Sequence, residues 1–238
     1  TVEGAVAAFE AARKAVPEVW LECTFDANAS PWWLFYLNSV IGGYGDDSPY
    51  GRVPCPVYRE SYTTARDYYN LQAADRLNSP IAAQEILGVI HQSNEPFLND
   101  AVMTILRGHA FLPLYVNPKY LDEPRWRMLA DTLRWARNNE ETLVQHPTKP
   151  LRPKTWIEGS TPWFSHDTPM PRTPYGYAHQ TDSGALIALR NPWIQPQSYT
   201  LNLADIISDI PADELNVVSL YPEPRVYGKA VDADAQLE

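Results

Sequence analysis

The chain has 238 residues, 45% of them hydrophobic and 20% charged, with a formal net charge of −10. That length can bury the core of one large domain or two small ones. The lack of a basic block argues against nucleic acid and anionic membrane as partners, since both need clustered Lys and Arg, and no apolar run has the length of a membrane-spanning helix.

Two cysteines, Cys23 and Cys55, are too few for a disulfide framework. They read as two thiols or, in an oxidising compartment, one pair. Neither has a Cys or His at ligand spacing, so no metal is expected, and no cofactor motif is present. The chain carries 8 Trp and 14 Tyr. Aromatic faces of this kind pack on the C–H faces of sugars, or simply fill a core.

Val2 to Val16 has the spacing of an amphipathic helix, with Val2, Val6, Phe9 and Val16 among alanines. No initiator Met and no cap in a preceding loop are seen, so the chain reads as a piece excised from a longer protein. Pro17 stops this helix, and 19–25 (VWLECTF) follows as a short buried strand. The aromatic segment 30–40 (SPWWLFYLNSV) reads as a helix or the wall of a pocket. A Gly-, Asp- and Pro-rich loop covers 42–56.

Helical spacing returns over 59–77, and 86–91 (ILGVIH) is a second expected strand. A short helix over 99–108 and a third strand over 111–116 come next. The stretch 123–143 is the clearest helix, with Trp126, Leu129, Leu133, Trp135 and Ala136 mainly on one face. Prolines then cluster to Pro174. Beyond them, 175–179, 185–191, 198–203 and 217–221 alternate like antiparallel strands, with Asp182-Ser183-Gly184 as a hairpin turn. Strand–helix units first and strands later predict an α/β architecture followed by an all-β segment. Three strand–helix units do not close an eight-stranded barrel.

In parallel α/β folds, chemistry sits at the carboxyl ends of strands. Glu22, Cys23 and Thr24 close the first strand, with Asp46 and Asp47 in the loop beyond. His91, followed by Gln92 and Glu95, closes the second. Glycines let a backbone bring a carboxylate close to a ligand, and two adjacent carboxylates repel, which raises one pKa toward general-acid use. Asp and Gly are also the commonest turn residues, so a solvated turn competes with this reading. Trp32 and Trp33 are candidates for stacking on a sugar, one of them more simply a core residue. Arg59, Arg66 and Asp67 read as a solvated helix face with local ion pairs. His109 reads as a packing or capping residue, and His179, Arg190, Asn191 and Trp193 as serving turns or a domain interface.

Glu22-Cys23-Thr24, then Trp32-Trp33-Leu34, then Ser39-Val40 leading to Gly45-Asp46-Asp47 resembles clan D glycoside hydrolases, in particular the α-galactosidase and raffinose-synthase-like family 36. The resemblance implies that 1–146 is the C-terminal part of a (β/α)8 barrel, 147–174 a proline-rich connection and 175–238 a β-rich, sandwich-like domain. It implies a retaining glycosidase acting on an oligosaccharide or glycoconjugate, with Asp46 (or its neighbour Asp47) as general acid/base. Glu22, Cys23, Thr24, Trp32, Trp33 and His91 would contact sugar. The nucleophile would precede Thr1, in a missing N-terminal half of the barrel that would act as this chain's partner. Asp26-Ala27-Asn28-Ala29 replaces the glycine run of that family, and Ile41 stands where it has Trp or Arg. These departures keep two other readings open: a non-catalytic glycan-binding protein on a degenerate barrel, and a structural α/β protein whose acidic loop is only a turn.

Overall fold

The hydroxyl of Thr1 accepts a 3.3 Å hydrogen bond from the Gly4 amide and caps helix α1, Val2–Ala15. The cap missing from a preceding loop is therefore supplied by the chain's first residue. Glu3 in the first turn and Arg13 and Lys14 in the last suit the helix dipole. The computed structural model describes residues 1–23, 30–41, 56–85, 88–91, 97–152, 172–207, 214–232 and 236–237.

The first half alternates strands and helices. β1 (Glu22–Cys23), β2 (Ser39–Ile41) and β3 (Gln84–Glu85) pair in parallel in that order. β4 (Val89–His91) pairs in parallel with β5 (Leu114–Val116). Helix α2 (Pro56–Leu77) joins β2 to β3, α3 (Leu98–Leu106) joins β4 to β5, and α4 (Glu123–Asn138) follows β5. Of the three strands expected near Trp20, Leu87 and Leu112, the second and third pair in parallel, whereas the parallel neighbour of β1 is β2, in a separate set. Among the described residues no closed barrel forms.

The local reasons are legible. The aromatic segment forms a short 3-10 turn, Pro31–Phe35, and then β2, rather than one helix. Pro31 fits the first turn position, and Val40 and Ile41 are β-branched. Helix α2 stops at Asn78, whose φ of 50° is a left-handed conformation that Asn tolerates, and Pro80 follows. Asp122 caps α4 by accepting from the Arg125 amide at 3.1 Å.

The second half is antiparallel. β6 (Thr148–Leu151), β7 (Tyr175–Thr181) and β8 (Gly184–Arg190) form one sheet, with Asp182 and Ser183 in the β7–β8 turn. β6 lies inside the stretch read as a proline-rich connection. Pro150 is tolerated there because β6 is an edge strand. β9 (Leu201–Asn202), helical turn α5 (Leu203–Ile206), β10 (Glu214–Ser219), β11 (Arg225–Asp232) and β12 (Gln236–Leu237) complete the order, as β10–β11 and β9–β12 pairs. β11 and β12 lie past the last strand expected from the sequence.

One apolar cluster joins the halves. Leu71 of α2, Ile81 and Met103 of α3 pack with Tyr175, Tyr177 and Ala188 of the antiparallel sheet. The opposite face of that sheet is covered by Ile206, Tyr199 and Leu201, packed against Leu151 and Ala178. No helix among the described residues is long and apolar enough to cross a membrane.

Candidate functional site

The carboxyl edge of β1 and β2 is the first place to look. The register sets Glu22 beside Ser39 and Cys23 beside Val40. Side chains alternate along a strand, so Glu22 and Ser39 share one face, and Cys23 and Val40 the other. The second face is the packed one. Cys23, Leu37, Val40 and Ala73 are buried together, with Phe9 and Trp33 against them. The first face is polar. Trp20 donates its indole N–H to the Ser39 hydroxyl (3.2 Å), which donates to Glu22 Oε2 (3.4 Å). Partial burial raises the Glu22 carboxyl above its ordinary range, and the Ser39 hydrogen bond offsets part of this.

The other expected site residues divide. Trp33 is the core member of the Trp pair, edge-on to Phe9 at 6.4 Å. Trp32 is 44% exposed, and its ring stands roughly perpendicular to Trp33 at 4.8 Å and tilted against Tyr36 at 5.3 Å. His91 ends β4, with its backbone opposite Val116, and its side chain lies outside the described residues. Thr24, Asp46 and Asp47 also lie outside them. Because β1 and β2 are parallel neighbours, the chain leaves toward Thr24 and toward Asp46 from one edge of the sheet.

A second polar constellation is wholly buried. Asp67, on α2, is at its centre. Its Oδ1 accepts from Arg107 Nε and from the Tyr177 hydroxyl, both at 2.6 Å, and its Oδ2 accepts from the Tyr175 hydroxyl. Arg190 of β8 donates to the Tyr175 oxygen (2.7 Å) and to Thr64 Oγ1 (2.6 Å). Tyr177 in turn receives the Asn70 amide at 3.5 Å, and Asn70 Oδ1 lies 3.1 Å from His109 Nε2. Since that amide oxygen only accepts, His109 carries its proton on Nε2. A short distance away His179 meets the Leu106 carbonyl at 2.8 Å and Thr148 Oγ1 at 3.3 Å.

Burial alone would push the Asp67 carboxyl up, but the Arg107 guanidinium, its hydrogen bond, Arg190 and Tyr175 together hold it below its ordinary value. His109 is pushed down to about 3 by burial and by Arg107, with Asp67 opposing. Burial raises both tyrosine hydroxyls well above their ordinary value. The result is an ionised pair and a neutral imidazole in a dry interior. Three donors, one from the end of α3 and two from β7, fill the carboxylate, which leaves it no room to act on a substrate.

The expected solvated face on α2 is therefore corrected. Arg66 and Asp67 are 6% and 0% exposed. Thr64, Asp67 and Leu71 recur at helical spacing because that face meets the sheet. The sequence signal was the two-residue period of Tyr175, Tyr177 and His179, which puts three polar-tipped rings on one face of β7. Among the described residues no group of three His, Cys, Asp or Glu side chains is placed to hold a metal ion. Comparison with family models, curated proteins and solved structures returned no match for this chain.

Proposed function

We propose that this chain is the strand–helix and β-rich part of a retaining glycoside hydrolase of the clan D, family 36-like kind, acting on an oligosaccharide or glycoconjugate. The observation that carries the reading is strand order. Each early strand pairs in parallel with the next along the chain, from β1 to β3 and from β4 to β5. Loops that follow such strands leave from one edge, where barrel enzymes keep their chemistry. Thr24 follows β1 directly in the chain, and Asp46 and Asp47 come a few residues after β2.

Trp20 precedes β1, Phe111 precedes β5, and their rings stack with centroids 6.1 Å apart, which brings the starts of the two parallel sets together. Among the described residues β1, β3, β4 and β5 each pair on one side only, which leaves edges for further barrel strands to join. The family's nucleophilic carboxylate belongs to those strands.

In this reading Asp46 protonates the leaving oxygen, while Glu22, on the polar face of β1 with a raised pKa, hydrogen-bonds sugar hydroxyls. The partly exposed Trp32 ring would supply the stacking surface. The test is Asp46→Asn in the protein that includes the nucleophile. Turnover of alkyl glycosides, which need a protonated leaving group, should fall about 10²–10⁴-fold, and turnover of activated aryl glycosides far less. Equal loss on both substrates removes the acid/base assignment. Full activity, with loss in Asp47→Asn, moves it by one residue. The exposed Trp32 ring also suits the glycan-binding reading. Oligosaccharide binding that quenches Trp fluorescence in the absence of turnover would select that alternative.

A further inference from the structure

The buried constellation around Asp67 sits on the boundary between the helices and the antiparallel sheet. Its donors and acceptors come from both sides. Asp67, Asn70 and Thr64 belong to α2, Arg107 and His109 to the turn that ends α3, Tyr175 and Tyr177 to β7, and Arg190 to β8. Opening this boundary would break the Tyr177–Asp67 and Asn70–Tyr177 bonds together.

His109 and His179 are the groups in this seam whose ordinary titration falls nearest neutrality, and His109 is the one that meets Asn70 of α2. It is 4% exposed. It faces Asp67 and Asn70 from α2 and Arg107 from its own turn; from the sheet, Tyr175, Tyr177 and Arg190 gather around Asp67 and its partners. A proton on its second ring nitrogen adds a cation beside a fixed guanidinium in a dry site. His179 flanks the same turn from β7, holding the Leu106 carbonyl.

We propose that the seating of the β6–β8 sheet on α2 and α3 is an acid-sensitive joint, closed while His109 is neutral and released when it takes up a proton. The sign follows from linkage. The released state exposes the imidazole to water, where its pKa is about 6.5, so it binds the proton that the seated state refuses. Below that pH the release equilibrium shifts by about tenfold per pH unit for one proton. Asp67 stays ionised throughout this range and titrates only at lower pH, so it does not produce the effect above about pH 5.

The experiment uses the full chain between pH 7.5 and 5. Exchange of the buried Tyr175 and Tyr177 hydroxyl protons, which cross the joint to Asp67, corrected for its intrinsic pH dependence, should accelerate about tenfold per unit below pH 6.5 while far-ultraviolet dichroism holds. His109→Gln keeps an N–H donor for Asn70 and cannot titrate, so the acceleration should disappear. Nitrogen-15 shifts of the imidazole in the unaltered protein give a second reading that does not depend on the variant folding. They should report His109 as neutral in the seated state down to pH 5. Titration of His109 near pH 6.5 with the Tyr175 and Tyr177 hydroxyls still protected would overturn the proposal. So would an unchanged acceleration in His109→Gln, or simultaneous loss of the far-ultraviolet signal.

Discussion

The hydroxyl of Tyr177 donates a 2.6 Å hydrogen bond to Asp67, a residue 110 positions earlier in the chain, and both side chains are buried. This bond ties the antiparallel sheet to α2, and the Asp67–Arg107 ion pair ties the end of α3 to the same carboxylate. The sheet is therefore packed into the fold of the helices rather than lying beside it.

Asp67 should be among the most sensitive positions for stability. Asp67→Ala leaves Arg107 as an uncompensated buried charge, and removing one partner of a buried pair costs about 3–5 kcal/mol. Tyr177→Phe removes one donor and leaves the pair, which should cost about 1–3 kcal/mol. Urea unfolding of the two variants tests the order. A Tyr177→Phe effect equal to that of Asp67→Ala would contradict the central role given to the carboxylate.

Gly108 should not tolerate a side chain. Its φ is +86°, and a Cβ there would meet the Leu143 carbonyl oxygen at 2.5 Å, His179 Cε1 at 2.7 Å and Thr148 Oγ1 at 2.8 Å. The backbone conformation alone costs an alanine about 1–3 kcal/mol, and the Leu143 contact is with backbone that cannot swing aside. Gly108→Ala should lower the melting temperature by several degrees, whereas Gly184→Ala, where a Cβ meets nothing within 4 Å, should have little effect. Similar melting temperatures for the two variants would refute the packing described at the end of α3.

The Glu22 carboxyl gives a pH prediction of opposite sign to that of His109. Its pKa is raised in the fold, burial being the main cause, so the folded state holds a proton that the unfolded chain has released. Folding stability from this group is present below the unfolded value of about 4.3 and declines as pH rises through the folded pKa. Ser39→Ala removes the hydrogen bond that partly opposes the shift, so the Glu22 pKa should rise further. Carbon-13 titration of the Glu22 carboxyl in the two proteins measures this. A lower pKa in Ser39→Ala would mean that Ser39 does not donate to Glu22.

Much of the element order was legible along the chain. Helices α1 and α4 were expected from apolar spacing and from Pro17, and β7 and β8 from alternation around Asp182-Ser183. These signals are local: a cap, a period and a turn act within a few residues. β6 and β11 were less legible because neither alternates cleanly. Pro150 interrupts β6, and β11 is paired across a bulged register.

The candidate site was legible only in part, and the reason is physical. Sequence placed Glu22 and Cys23 together at a strand end, but neighbours on a strand face opposite ways. Register with β2 sent Cys23 into the helix-packed core and left Glu22 beside Ser39. The adjacent Trp32 and Trp33 divided in the same way, because Phe9 of a distant helix packs on one of them.

What the sequence determined by itself was where helices start and stop and where parallel pairing gives way to antiparallel. Those preferences belong to short stretches of backbone and survive any choice of neighbour. Only the tertiary structure decided that Asp67 is a buried anchor and not a solvated charge, and that His109 is held neutral. A charge or an imidazole takes its character from the water it loses and the partners it gains. Here those partners arrive from residues as far away as Tyr177 and Arg190.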